Sequence, residues 1–312
     1  MSEDKFYEIF EELIGQHLRN SIIFKHEPKK GTHTYEPFRH HFDTESEKRL
    51  GNFMRKYIFY YAYSETEVIK AYEKGRLNDL EKAATIALDT RLPKRKGAGN
   101  GLYSELLLDL LITMFSNNVN KLATRAVYRQ DTDNQELKGY DGLHISVDED
   151  DNKFLWLGQA KMGSRSYCVT DIKKDLTDKA NMLYTAKQLF FVSDKETKTL
   201  PKAIDVLEKI NQVYWDNEDL SPETRADSLS EFFKNERIKI VFPCLLAYGM
   251  PSFYEVEGNL ESELETELEK IIDQFDEKFE TLLQNEYEIL VWFIPIRDLK
   301  ALRESMGLLD EH

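Results

Sequence analysis

Apolar residues recur at helical spacing through Phe6, Ile9, Phe10, Leu13 and Ile14, which predicts an amphipathic helix near the start of the chain. The same period runs from Glu45 to Ala62 and from Glu65 to Ala87, so the first part is expected to be mainly helical. Between the first two patterns, Phe24 to Phe42 is rich in His and Pro and holds either strands or an ordered loop. Pro93 to Gly101, reading PKRKGAGNG, is the clearest breaker and marks a boundary. Leu102 to Phe115 follows and is apolar almost all round, the pattern of a buried helix. Its acids, Glu105 and Asp109, stand four residues apart and share a narrow polar stripe with Thr113.

A strand is predicted around Leu122 to Tyr128 and a polar loop from Gln130 to Lys138. Two further strands, Tyr140 to Val147 and Lys153 to Lys161, flank the turn DEDDN. A basic helix over Val169 to Tyr184 puts Ile172, Leu176, Ala180 and Leu183 on one face and leads into a strand at Gln188 to Val192. The order helix, three strands, helix, strand places the chain in the α/β class. It divides into a helical N-terminal region (1–96), a core (97–193) and a C-terminal α/β extension (194–312) packed on that core. The extension reads as helices at Pro201 to Tyr214 and Pro222 to Lys234 and an apolar strand at Ile238 to Ala247. An acidic helix then turns Leu260, Leu264, Leu268, Ile271, Ile272, Phe275 and Phe279 inward, and a buried strand at Ile289 to Ile296 closes the sheet before a short last helix.

The hairpin makes a geometric test possible. If its turn is centred on Asp150, cross-strand pairing sets Asp141 opposite Gln159, with Cβ atoms about 4.5 to 5.5 Å apart, and Lys161 shares the face of Gln159. Phe154 to Leu157 form a continuous apolar run that suits burial on both sides, so polar residues at the end of that strand need a reason. Residue by residue, Asp141 reads as part of a turn with Gly142, and Gln159 and Lys161 as the solvated end of a strand. The conjunction of the three with a glutamate on a buried helix favours a functional site.

Composition sets limits on that reading. The 312 residues are 41% hydrophobic and 32% charged, as in an ordinary globular protein, with a formal net charge of −15. Such a charge argues against a protein that coats nucleic acid by itself. The charge is uneven: residues 91 to 130 hold seven basic residues against two acids, whereas residues 255 to 280 hold eleven acids against Lys270 and Lys278. Cys168 and Cys244 lie far apart in no metal-like spacing and are expected to be buried, and His33, His40 and His41 read as a surface cluster. With no run of about 18 apolar residues and an acidic, charged start at Glu3, Asp4 and Lys5, a cytoplasmic location without a membrane span is expected.

Glu105 in GLYSELLLDLL, Asp141 in GYDGLHI, and Gln159 with Lys161 in LGQAK resemble the motifs of the PD-(D/E)XK, restriction-endonuclease-like nucleases, over roughly residues 97 to 193. Gln159 stands where the commoner pattern has an acid, as in the Mrr-like Q-x-K branch, and an amide oxygen is a weaker metal ligand than a carboxylate. The ELLLDLL, YDGLH and LGQAK segments, with the late VWFIPIRDL, also resemble the HamA family, nuclease components of the Hachiman anti-phage defence system.

The resemblance implies degradation of DNA during phage attack together with a helicase partner, HamB. It implies Mg²⁺, or Mn²⁺ in its place, on Glu105, Asp141 and the Gln159 oxygen, with Lys161 orienting or deprotonating water and stabilising charge on the phosphate. Lys94, Arg95 and Lys96 in the breaker form either a phosphate-gripping loop or an exposed linker. Arg165 is the better candidate for DNA backbone contact than Lys173, Lys174 and Lys179, which default to a solvated helix face. The acidic helix near Glu261 to Glu280 is read as a solvated face, or as a surface that repels DNA or docks on a basic partner. The competing function is a catalytically weak, nuclease-like DNA sensor or adaptor.

Overall fold

The computed structural model describes residues 4–92, 101–116, 119–124, 139–193, 201–217, 219–255, 259–276, 279 and 287–307. The N-terminal apolar pattern becomes α1 (Asp4–Phe10), which runs through a π-helical turn at Glu11–Gly15 into α2 (Gln16–Ser21). The His- and Pro-rich stretch forms three strands, β1 (Ile23–Lys25), β2 (Lys29–Lys30) and β3 (Thr34–His40). α3 (Ser46–Ala62) follows, and the helix expected from Glu65 to Ala87 is two, α4 (Glu65–Glu73) and α5 (Leu80–Thr90). The physical cause is local. Gly75 takes a left-handed φ of +67° just past α4, and the Asp79 side chain caps α5 through Lys82 N at 3.0 Å.

The buried helix is α6 (Leu102–Phe115), followed by β4 (Val119–Thr124), β5 (Gly142–Val147) and β6 (Lys153–Gly163). Next come α7 (Arg165–Lys179) and α8 (Met182–Ser193). The strand expected at Gln188 to Val192 is therefore the second half of a helix. Its apolar run is too short for periodicity to separate the two states, and the buried pair Ala186 and Leu189 has helical spacing. Asn181 interrupts the longer helix expected there, capping α8 through Tyr184 N at 2.9 Å.

After α9 (Pro201–Trp215) and α10 (Pro222–Asn235), β7 (Ile238–Gly249) supplies the next strand of the sheet. A 3₁₀ turn at Pro251–Glu255 precedes α11 (Leu260–Phe275), β8 (Tyr287–Ile296) and α12 (Leu299–Met306).

The strands form one sheet in the order β1-β3-β8-β7-β6-β5-β4, with β2 paired to β3. Its centre, β3-β8-β7-β6, is parallel, and both flanks are antiparallel. β8 thus lies inside the sheet rather than closing it. Helices cover both faces. Leu106, Leu107 and Leu110 of α6 pack with α3 and with Ala160 and Met162 of β6, whereas Ile172 and Leu176 of α7 pack with Leu155 and Leu157 on the opposite side of the same strand. Gly158 lets α6 approach, because a Cβ there would stand 2.7 Å from Leu108 Cδ2.

Both cysteines are buried, and burial raises the Cys168 thiol to about 12. The histidines are not a surface cluster: His40 and His33 are buried and His41 is exposed. The His40 Nδ1 bonds Ser46 Oγ at 2.6 Å and its Nε2 accepts from Arg297 N at 3.1 Å, which explains its place in the interior. Among the described residues, no helix is long and apolar enough to cross a membrane.

Candidate active site

The hairpin has the anticipated register. From Gly142↔Gly158 to Val147↔Lys153, partner numbers reflect about Asp150, and the turn is held by the Asp148 carboxylate, which accepts from Asp150 N and Asn152 N at 3.0 and 2.8 Å. β5 pairing ends at Gly142, while β6 continues to Gly163 with β7 alone on its other side. The edge of residues 159 to 163 next to the start of β5 is therefore left to side chains, and Arg303 Nη2 donates to the Met162 carbonyl there at 3.1 Å.

Asp141 fills the first gap in that edge. Its Oδ2 accepts from Ala160 N at 2.8 Å, replacing the ladder bond that β5 no longer supplies. From the other side, Ser104 in the first turn of α6 donates to the Ala160 carbonyl at 3.3 Å. The two peptide groups that flank the Ala160 Cα are thereby held, one by Asp141 and the other by Ser104.

Gln159 and Lys161 alternate with Ala160 and face α7. Lys161 Nζ pairs with Asp175 Oδ2 at 2.7 Å; Lys179 Nζ pairs with Asp175 Oδ1 at 2.8 Å and donates to Gln159 Oε1 at 3.4 Å. Gln159 is buried, and its Nε2 has no hydrogen-bond partner among the described residues. An unmatched polar atom in that position is costly unless something else uses the amide.

Charge determines the protonation states. Burial lowers the Lys161 amine, but Asp141 and Asp175 outweigh it and leave its pKa above the ordinary lysine value. Burial raises the Asp175 carboxyl, but Lys161 and Lys179 outweigh it and hold it below the ordinary range. Lys161 and Asp175 are thus held in their charged forms.

Glu105 reaches the site region from the α6 side. It is 2% exposed, and Tyr61 of α3 donates to its Oε2 at 3.0 Å. Asp109, a turn further on, is not a helix-surface acid. It is equally buried, accepts from Tyr57 OH at 2.6 Å and meets His144 Nε2 at 2.9 Å, with Lys121 Nζ at 3.8 Å. Burial raises its carboxyl, but Lys121, His144 and Tyr57 outweigh it, so its pKa also lies below the ordinary value.

The structure therefore brings Asp141, Gln159 and Lys161 to one strand end, whereas Glu105 stands on the α6 side of the sheet, next in sequence to the Ser104 that bonds the Ala160 carbonyl. Glu105, Asp141 and Gln159 Oε1 are the oxygen donors that a hard divalent cation would use here; the unmatched Gln159 atom is Nε2, which only donates, and Oε1 already accepts from Lys179. Among the described residues, no three His, Cys, Asp or Glu side chains converge as a ligand set, so such an ion depends on the amide.

Asp175 and Ser104 were not anticipated. The signal for Asp175 was present: it lies on α7 between the buried Ile172 and Leu176, four residues before Lys179. Arg165 directs Nη1 to both carboxylate oxygens of Glu267 at 2.8 and 2.9 Å, and Lys173 donates to Gln274 O at 3.1 Å, so both engage α11. Lys174 is exposed. Lys94, Arg95 and Lys96 lie outside the described residues. A family model described as HamA matches residues 10–307, nearly the whole chain, and no curated protein matches it.

Proposed function

The chain belongs to the HamA family and is thereby a component of the Hachiman anti-phage defence system; from that premise we propose that it is a metal-dependent DNA nuclease working with a helicase partner. The observation that carries this reading is the end of β6, where Asp141, Gln159 and Lys161 gather, with a buried glutamate on the helix α6 that packs against the same strand. The succession α6, β4, β5, β6 and α7 supports a restriction-endonuclease-like core whose next strand is β7, reached only after α8, α9 and α10 and so beyond the boundary expected at residue 193.

In this proposal Glu105, Asp141 and Gln159 hold Mg²⁺, or Mn²⁺ in its place. When bound, the ion supplies Lewis-acid polarisation of the phosphate and lowers the pKa of water. Lys161 has a raised pKa, which favours a lasting positive charge aimed at the phosphate over proton abstraction. Asp175 holds Lys161 until substrate arrives. Because Lys179 stays on the same carboxylate, Lys161 can turn to a phosphate without leaving Asp175 as a half-buried charge alone. The net charge of −15 supports a division of labour in which the helicase delivers DNA to a site that attracts it weakly.

The test is cleavage of plasmid and linear DNA by the chain with its helicase, in Mg²⁺ and in chelator, against Asp141→Ala and Lys161→Ala. Loss of Lys161 is expected to lower the rate about 10² to 10³-fold while DNA binding stays within about twofold. The lack of a three-residue His, Cys, Asp or Glu set among the described residues favours a second reading, a DNA adaptor on a nuclease-like fold. DNA binding with equal background cleavage in all three chains would establish that reading instead.

A further inference from the structure

The N-terminal helices carry a second concave site, away from the β6 strand end. α3, α4, the turn after α4, and α5 enclose a cavity of about 650 Å³. That volume lies within the range of small-molecule sites.

Its lining is strongly basic. Lys70, Lys74, Arg76, Lys82 and Arg91 line it against two acids, Glu67 and Asp79, a local balance of +3 (five minus two) in a chain whose net charge is −15. Both acids have other tasks. Glu67 closes the capping box of α4 and pairs with Arg91 at 2.7 Å, and Asp79 caps α5. Lys74, Arg76 and Lys82 are exposed and make no ion pair among the described residues. Three unneutralised cations around one concavity repel one another, and an anion in the cavity removes that cost.

The site also has a flat wall. Tyr63 stacks on Phe59 with ring centroids 4.3 Å apart and 19° between planes, and the Arg91 guanidinium lies 4.8 Å over the Tyr63 ring. Glu67 fixes that guanidinium, so a planar cation faces the cavity on an aromatic base. Ile86, 46% exposed, adds an apolar patch from α5. Planar bases stack on guanidinium and aromatic surfaces, and phosphates bind clustered Lys and Arg.

We infer that this cavity binds a nucleotide unit, with phosphates on Lys74, Arg76 and Lys82 and the base on the Arg91–Tyr63 stack. A free nucleotide and a single DNA strand both carry this chemistry. The assignment does not depend on the nuclease reading, since its readout is binding in chelator.

The whole chain is titrated in EDTA with ATP and, separately, with a fluorescein-labelled thymidine oligonucleotide. The double variant Lys74→Glu with Arg76→Glu is compared with Lys300→Glu, which reverses an exposed charge on α12. Saturable binding that weakens at least tenfold in the double variant, and less than twofold in Lys300→Glu, is expected. Such loss for ATP identifies a free-nucleotide site, and such loss for the oligonucleotide alone identifies a strand site. No binding of either probe, equal binding by both variants, or inorganic tripolyphosphate binding as tightly as ATP would overturn the assignment.

Discussion

Two acid networks, one on either face of the sheet, are satisfied differently. On the α6 face, Asp109 receives a tyrosine hydroxyl and meets a histidine in full burial, and Glu105 receives a tyrosine hydroxyl. On the α7 face, Asp175 is held by two lysines whose side chains are 18 and 21% exposed. Hydroxyl and imidazole partners from packed helices are fixed by the core around them. Lysines on long stems near solvent can exchange partners at small cost. The first arrangement is built to stay closed, and the second to be opened by an incoming phosphate or cation. Glu105 belongs to the first by its Tyr61 partner.

The contrast breaks most readily at Asp109. Asp109→Ala leaves His144, Tyr57 and Lys121 without their shared acceptor, and a loss of about 3 to 5 kcal/mol in urea unfolding is expected. A loss under about 1 kcal/mol would show that the α6 network is replaceable and the contrast between faces false. A smaller effect is expected at Asp175→Asn, which frees Lys161 from its positioning partner. Metal-dependent kcat should fall about tenfold, or about 1.4 kcal/mol, with KM little changed and unfolding stability nearly kept. An equal fall in stability and in kcat would make Asp175 merely structural.

The smallest effect is a titration. Because the folded pKa of Asp175 lies below its unfolded value, its pairing contributes above the unfolded value and is lost as pH falls through the folded one. The carboxyl carbon of Asp175, followed by NMR, should titrate below the ordinary aspartate range. Lys179→Gln should move that midpoint upward, and an unmoved midpoint would remove Lys179 from the clamp.

The hairpin register was legible because a tight turn between two strands fixes it, but the ladder stops at Gly142 and Gly158, and Asp141 bonds the backbone of Gly158 and Ala160 instead of pairing with Gln159. Glu105 could be read as buried from the apolar residues all round its helix. Asp175 could not be linked to Lys161 by the same means, since nothing local says which turn of α7 crosses the end of β6. Asp109 and His144 meet across a helix and a strand, and no period in either segment shows that contact. The strand expected at Gln188 failed because a five-residue apolar run fits either state. The inner position of β8 depends on β3, which the His- and Pro-rich stretch left open between strand and loop.

Glu267 sets a different kind of limit. It sits among the acids of α11 yet is fully buried, bonded by Tyr248 OH at 2.8 Å and by Arg165 at the first residue of α7. Removing an exposed charge from that helix costs little, since even the Glu265 pair with Lys29 lies at the surface. Removing the Glu267 carboxylate would instead leave the Arg165 guanidinium and the Tyr248 hydroxyl without their common acceptor.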